Sequence, residues 1–302
     1  MTSMTSRLAV VAGLTASAVL GAGCSIDLNH EGHIEREEKR FAVTGTPELS
    51  LHTFDGSVEV RSWDRPEVYI EVEKRGQDAE AVSKIQVLAE QSGNRIQVEA
   101  RRPGGRTAFV GIGTFTSPSA RIVATVPHRL QLVVRSGDGS IVAERLDGRI
   151  ELRTADGSIR AIETTGELLA ESGGGGIQIE EAAGRIEART DEGSVRVSGM
   201  PAALRIRSGD GSVVVRIRTG AVMSEDWMIA TEDGSVSLEL PEGFNAEIEA
   251  EPGSDSRVRS ELMFVSSTGG TRDQRTLRGT LGRGGHRLVL RSGDGTIRLI
   301  KY

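Results

Sequence analysis

Four carboxylates, Asp138, Asp156, Glu192 and Asp210, occupy one place in a motif that recurs at multiples of 18 residues, and an arginine stands three residues before each: Arg135, Arg153, Arg189 and Arg207. Rows of acid and guanidinium at a fixed period suit three kinds of chemistry. Paired carboxylates act as acid and base in glycosidic-bond cleavage, carboxylates in stacked turns hold calcium, and neighbouring rows of opposite sign neutralise each other. The third reading fits the exception in the pattern. In the one segment that lacks the acid, at Gly174, the basic position is reversed to Glu171, as expected if acid and Arg exist to balance each other. Calcium is disfavoured because the midway turns, Asp147-Gly148, Thr165-Gly166, Ala183-Gly184 and Pro201-Ala202, carry no regular carboxylate. Calcium-binding nonapeptide repeats place one in every half-turn.

Other chemically active side chains are scarce. Residues 134–219 contain no His, Lys, Cys, Tyr, Trp or Phe, which leaves no tunable base other than carboxylate and no aromatic platform for a sugar ring. No Gly-x-Ser-x-Gly, His-Glu-x-x-His or phosphate-cradling Gly-rich motif ending in Lys occurs, and no cofactor or metal is expected. His30 and His33 have helical spacing but no further His or Cys beside them, so they read as solvated.

The elements that must position the charged rows follow from the repeat itself: Ser/Thr, any residue, acid, Gly, Ser/Thr, Ile/Val. Its copies begin at Thr53, Ser136, Thr154, Ser172, Thr190, Ser208, Thr231 and Ser292. The motif glycines Gly139, Gly157, Gly175, Gly193 and Gly211 are each 18 residues apart, with a second glycine midway at Gly148, Gly166 and Gly184. Asp-Gly followed by Ser and a β-branched residue is turn chemistry followed by strand, with Gly expected to take positive φ. After each turn alternate positions are apolar, giving a column Ile141, Ile159, Ile177, Val195, Val213 and a second one with Ile150, Leu168, Ile186 and Leu204. Two strands and two turns per 18 residues predict an all-β fold, a parallel β-solenoid whose coils stack at about 4.8 Å. An antiparallel meander gives no reason for the 18-residue identity to exceed the nine-residue one. Regular coils are expected over about 134–240, with irregular capping segments at 41–130 and 241–302. In the first cap, Val58 to Val72 alternates like two strands around a turn, Ala79 to Lys84 reads as one helical turn, and Ile85–Ala89 and Arg95–Ala100 read as strands joined at Ser92-Gly-Asn94. The Gly-rich loop from Pro103 to Pro118 carries Phe109, Ile112 and Phe115 at its tip. It reads as a cap folded over the end of the stack, with a binding loop as the alternative.

Composition agrees. With 3% aromatic and 37% hydrophobic residues, the core must be narrow and built from Val, Ile, Leu and Ala. No stretch of 18 apolar residues exists, which rules out a spanning helix. Residues 1–23 hold one charge, Arg7, then the apolar run Leu8 to Leu20 and the small residues Gly21, Ala22 and Gly23 before Cys24, and read as an export signal. Cys24 is the chain's only cysteine. It resembles the acceptor of a bacterial lipoprotein signal, where a diacylglyceryl group would join the chain to a membrane. The alternative is an ordinary secretory signal with a chance cysteine. Residues 24–40 read as a polar tether, and Ser25, where an Asp would imply inner-membrane retention, favours the outer membrane. Loss of the signal leaves 36 basic against 43 acidic side chains, so nucleic acid is not an expected partner.

The ordered set Trp63-Asp-Arg, Val126-Pro127, repeated Gly-Asp-Gly-Ser-Ile, Leu240-Pro-Glu-Gly-Phe244 and Leu288-Val-Leu-Arg-Ser-Gly-Asp-Gly-Thr-Ile297 resembles the bacterial putative-adhesin family of domain-of-unknown-function proteins, number 4097, over roughly residues 41–302. The resemblance implies an exported or membrane-attached β-solenoid, sometimes linked to envelope stress, and carries over no catalytic residue. The expected function is a non-catalytic envelope lipoprotein that offers a rigid charged surface to an unidentified protein or glycan. A glycan-acting lyase or hydrolase is the alternative, and a purely structural or stress-linked role a third.

Overall fold

The structure, a computed structural model, describes residues 32–103, 117–253, 256–268 and 276–302. It is all-β. Among the described residues, 23 strands join in one sheet that closes nearly on itself like a barrel, and the one helix is Ala79–Ser83, capped where Ala81 N–H donates to Asp78 Oδ1 at 2.7 Å.

The alternation of apolar and polar residues places matching positions of successive 18-mers side by side. Ile141 pairs with Ile159, Ile159 with Ile177, Ile177 with Val195, and Val195 with Val213, all in parallel and all buried. The second column does likewise, from Leu132 through Ile150, Leu168 and Ile186 to Leu204. Two ladders result, joined by Ile177–Thr190 and Val195–Ser208, which run through both. The core between them is aliphatic as composition requires, and Trp227 and Phe244, with ring centroids 5.7 Å apart, are its buried aromatic residues.

Chain order and stacking order part company at both ends. Glu48–Thr53 lies between Arg129–Ser136 and Arg95–Arg101, and Val58–Trp63 lies between Ile141–Glu144 and Ser119–Pro127. At the other end Arg287–Ser292 and Ile297–Lys301 insert between the rung at 227–240 and the strands Ala246–Pro252 and Val258–Ser260. The expectation of irregular caps at 41–130 and 241–302 is therefore corrected: each contains a rung in register with the central ones. Uniformly parallel pairing is corrected too, because five pairings among the described residues are antiparallel. All five lie toward the ends of the stack; only Gln86–Ser92 with Arg95–Arg101 and Ser266–Thr268 with Leu277–Leu281 join strands close in sequence. Val58–Trp63 and Glu67–Gly76 do not form a hairpin with each other; both pair with Ser119–Pro127. The strands joined at Ser92-Gly-Asn94 do pair, as Gln86–Ser92 with Arg95–Arg101.

The expected tether also changes. His33–Ala42 is an edge strand paired along its whole length with Glu67–Gly76. Its polar residues looked unpatterned, yet they complement their partner strand: Arg36 bonds Glu73 at 2.7 Å, and Lys74 Nζ lies 2.9 Å from Glu35 and 3.0 Å from Glu37. Glu73 and Lys74 are nearly buried. The Arg36 hydrogen bond, aided by Arg75, holds the Glu73 carboxyl below its usual value, and Lys74 does the same for Glu35.

A hydrogen-bonded column explains why the repeat begins with a hydroxyl. In every copy the Ser/Thr is buried, and in all but the Thr53 copy it accepts the N–H of its own motif glycine and donates to the glycine carbonyl of the rung before. Thr190 is typical: Gly193 N–H donates to its Oγ1 at 3.1 Å, and that hydroxyl reaches Gly175 O at 2.9 Å. The column runs through Ser136, Thr154, Ser172, Thr190, Ser208, Thr231 and Ser292, and Thr53 donates to Ala120 O at its far end. The same closeness dictates the glycine. A Cβ on Gly157 would fall on the Gly139 carbonyl, and one on Gly193 on the Gly175 carbonyl. Positive φ, the expected reason for these glycines, occurs among them only at Gly56 in the described residues, and is found also at the midway turns, at Gly148, Gly166 and Gly184 and at Arg145, Glu163 and Glu181.

Two predictions follow from burial. Thr190→Val leaves the half-buried Gly193 N–H and Gly175 carbonyl without their shared partner and should cost about 1–2 kcal/mol in urea unfolding, while Thr190→Ser should cost well under half of that. Thr164 Oγ1 is buried without a partner among the described residues, so the same Thr→Val change there should be neutral or stabilising by about 1 kcal/mol. The lowered carboxyls at Glu35 and Glu73 contribute stability that is complete above the usual value of 4.5 and drains as pH falls through their folded values. Glu73→Gln should flatten part of that acid loss in a pH series of unfolding midpoints. It should cost about 1–2 kcal/mol at neutral pH, since both guanidinium partners are half-exposed.

Candidate functional site

Stacked rungs bring the turn carboxylates onto one ridge. Backbone bonds tie each turn to the one before: Asp156 N–H to Gly137 O, Glu192 N–H to Gly173 O at 3.2 Å, Asp210 N–H to Asp191 O at 3.0 Å, and Asp233 N–H to Gly209 O at 3.1 Å. Asp138, Asp156, Glu192 and Asp210 are all exposed, and Asp233 and Asp294 occupy the same motif place farther along. The gap at Gly174 has a local use. A side chain there would meet Asp156 Oδ1 at 3.4 Å and Glu192 Oε2 at 3.9 Å, so the bare position lets the two flanking carboxylates relax into it rather than adding a third charge at a strand spacing.

The arginine row does not neutralise this ridge. Arg135 pairs with Glu151 at 3.1 Å, Arg153 with Glu151 and Glu171, and Arg189 with Glu187 and Glu171. Balance is thus struck within the outward face of the strands, and the expected pairing of Arg153 with Asp156 and of Arg189 with Glu192 is corrected. The reason is directional: a strand residue before the buried Ser/Thr projects from the sheet, and the residue two places earlier shares that face, whereas the acid three places later lies beyond the edge. Glu171 stands between Arg153 and Arg189 in register, so the sign reversal seen in the sequence serves its own row. Arg207 has no carboxylate partner among the described residues, nor has Arg205 on the same strand.

Beyond the rows, His128 Nε2 lies 3.0 Å from Asp64 Oδ1, and His286 Nδ1 lies 3.5 Å from Asp226. His33, placed in the tether by the sequence, heads the edge strand 3.5 Å from Glu35. An open groove of about 510 Å³ runs between the edge strands, lined by residues 38–41 and 87–90. No group of three or more His, Cys, Asp or Glu that could hold a metal occurs among the described residues, and no helix there is long and apolar enough to cross a membrane. Cys24, His30 and the loop residues Phe109, Ile112 and Phe115 lie outside the described residues. The hydroxyl column is what sequence reading missed, although its signal was present: the first motif position admits only Ser or Thr in all eight copies.

Three solved structures are similar in outline. A putative adhesin from Bacteroides fragilis NCTC 9343 is 12% identical, with 88% of this chain and 97% of that chain covered and a TM-score of 0.37. A putative adhesin from Parabacteroides merdae ATCC 43184 gives 11%, 88%, 96% and 0.35, and a putative lipid binding protein from Parabacteroides distasonis ATCC 8503 gives 12%, 88%, 98% and 0.40. No match to this chain is found among curated proteins. The family model described as Toastrack DUF4097 matches residues 46–299, a span that takes in every copy of the motif from Thr53 to Ile297, and the chain belongs to that family.

Proposed function

We propose that this protein is a non-catalytic component of the cell envelope, a β-solenoid of 18-residue coils joined to a membrane by a lipid on Cys24, with outer-membrane sorting favoured by Ser25. It presents its outward strand faces to a protein or glycan partner. The observation that carries this reading is the division of labour in the repeat. Buried hydroxyls, glycines and aliphatic residues satisfy the backbone and core, while charged residues stand on flat, solvent-facing rows as surface ion pairs and an exposed ridge. Acid–base chemistry on a glycan needs two carboxyl groups set in different environments so that one holds its proton. Asp138, Asp156, Glu192 and Asp210 instead share one kind of exposed turn. Such repetition suits a surface that meets an extended partner at several equivalent points.

The anchor is tested by feeding cells a labelled fatty acid: label in the wild-type chain and its loss in Cys24→Ser support the assignment, and an unlabelled wild-type chain found free of the membrane fraction overturns it. The non-catalytic reading is tested with envelope polysaccharide. Release of reducing ends by the purified protein, abolished when Asp138 and Asp156 are both changed to Asn, would establish a glycan-acting enzyme. Asp156→Asn alone should shift stability by under about 1 kcal/mol and leave partner binding intact.

A further inference from the structure

Across three neighbouring strands the outward face of the sheet carries no acid. Val195–Ser208, Trp227–Thr231 and Arg287–Ser292 contain no carboxylate; the bounding acids in register are Glu187 on one side and Glu247, Glu249 and Glu251 on the other, and Asp226, just before Trp227, accepts the Arg287 N–H at 2.9 Å. Parallel register sets Arg205 beside Met228 and Arg207 beside Ala230, then Met228 beside Val289 and Ala230 beside Arg291. Arg205, Arg207, Arg287 and Arg291 are exposed, and Met228, Ala230 and Val289 are half-buried between them. Arg291 reaches Glu251 at 3.1 Å, but Arg205 and Arg207 have no carboxylate partner among the described residues. Arg207 also stands directly beside Arg189, whose own charge is met by Glu171 and Glu187. Many outward arginines elsewhere in the stack are matched, as Arg153 and Arg189 are by Glu171, Arg160 by Glu180, and Arg216 by Glu239; Arg196 and Arg298, on the opposite ladder, share with Arg205 and Arg207 the lack of a carboxylate partner among the described residues, but no second arginine follows them two places along the strand.

We infer that this face binds an acidic polysaccharide laid across the strands, its carboxylates on the arginines and its sugar rings over Met228, Ala230 and Val289. The assignment rests on the proposed function, in that it takes the outward surface to be the binding one. Strands stand about 4.8 Å apart, so Arg207 and Arg291 rise about 10 Å from each other with the small Ala230 between them, and Arg205 follows Arg207 at about 6.6 Å along the strand. That grid offers charges at intervals to a linear polyanion, and guanidinium groups pair with carboxylates in bidentate fashion. The face is flat, which suits a chain held at several points rather than an enclosed small molecule. An extended peptide on a sheet face finds no backbone partners, because the sheet's own N–H and C=O groups are used in its plane. A bilayer would need large apolar side chains protruding from the arginines, and here the apolar residues lie low between them. Nucleic acid is opposed by the carboxylate ridge beside the row, at Asp210 and Asp233.

The test uses the full chain as the Cys24→Ser variant, so that no lipid contributes, with polygalacturonate as the probe. Binding should be measurable at low salt, weaken as salt rises, and fall at least about tenfold in the double variant Arg205→Gln, Arg207→Gln with its unfolding midpoint unchanged. Arg160→Gln, on the opposite ladder and paired with Glu180, should bind like the parent. Absence of binding by the parent, an unaltered affinity in the double variant, or equal binding of the fully methyl-esterified polymer overturns the inference. So does equal, arginine-dependent binding of poly-glutamate or of phosphatidylglycerol vesicles, which would make the partner an acidic protein or a bilayer. Any of these results with Cys24 still labelled in cells removes the ligand and leaves the envelope reading standing; loss of the label with polymer binding intact does the reverse.

Discussion

Each rung is held to its predecessor by one buried hydroxyl that serves two backbone groups at once. In the Thr190 rung the side chain takes the Gly193 N–H and gives its own hydrogen to Gly175 O, so the turn cannot open without losing both bonds. The arrangement demands that the glycine carry no side chain, since the preceding carbonyl occupies that space, and that the hydroxyl be small enough to stay inside. The second motif position is Gly wherever the first is Ser, and there too a Cβ would fall on the preceding carbonyl, at Gly137, Gly173, Gly209 and Gly293; behind Thr it is Phe, Ala, Asp or Glu, and the third position is Asp, Glu or, at Gly174, Gly. Variability within the six-residue motif is greatest at the second position, while the acid at the third is replaced only at Gly174.

The same constraint governs the ends. A stack of strands exposes unpaired N–H and C=O groups at its last rung, an invitation to edge-on association. This chain moves the problem outward by folding its first and last motifs back into the stack, so that Thr53 and Ser292 extend the hydroxyl column beyond the rungs adjacent in sequence. Antiparallel strands then finish each end. On the outermost one, His33–Ala42, charges replace apolar residues on both faces: Glu35, Glu37 and Lys39 on one and Arg36, Glu38 and Arg40 on the other. With Lys74 and Glu73 nearly buried beneath them, these charges are matched on one side and unattractive to another chain on the other.

The sequence made the 18-residue register legible because identical residue types recur at identical offsets, and Ile141, Ile159 and Ile177 do stand in line. It concealed the stacking order. Nothing in Thr53-Phe-Asp-Gly-Ser-Val58 distinguishes a rung that follows its neighbour in sequence from one inserted 80 residues away, because every copy satisfies the same contacts. The edge strand was hidden for a different reason. Residues 33–40 have no apolar periodicity, and their pattern is visible only against Glu67–Gly76, with which they exchange charges. The arginine row shows a third limit. Spacing along the chain suggested that Arg153 meets Asp156, whereas the pleat puts Glu151 and Glu171 on its face; proximity in a repeat is a matter of which side of the sheet a residue leaves from.

Separating the column that holds the stack from the faces that surround it also bears on where recognition lies. Mutual pairing of Arg153, Glu171 and Arg189 leaves that stretch of face electrically quiet, whereas Arg205 and Arg207 confer a local excess of positive charge in a chain whose formal charge is −6. An excess of that kind is not required by the backbone, since the neighbouring rungs stack equally well with the charges matched. It leaves the guanidinium groups of Arg205 and Arg207 without a carboxylate in the isolated protein, and an anion lying across the strands supplies one. A surface whose repeating geometry is fixed from within can therefore change its partner by exchanging outward residues alone, one rung at a time, with the hydroxyl column beneath untouched.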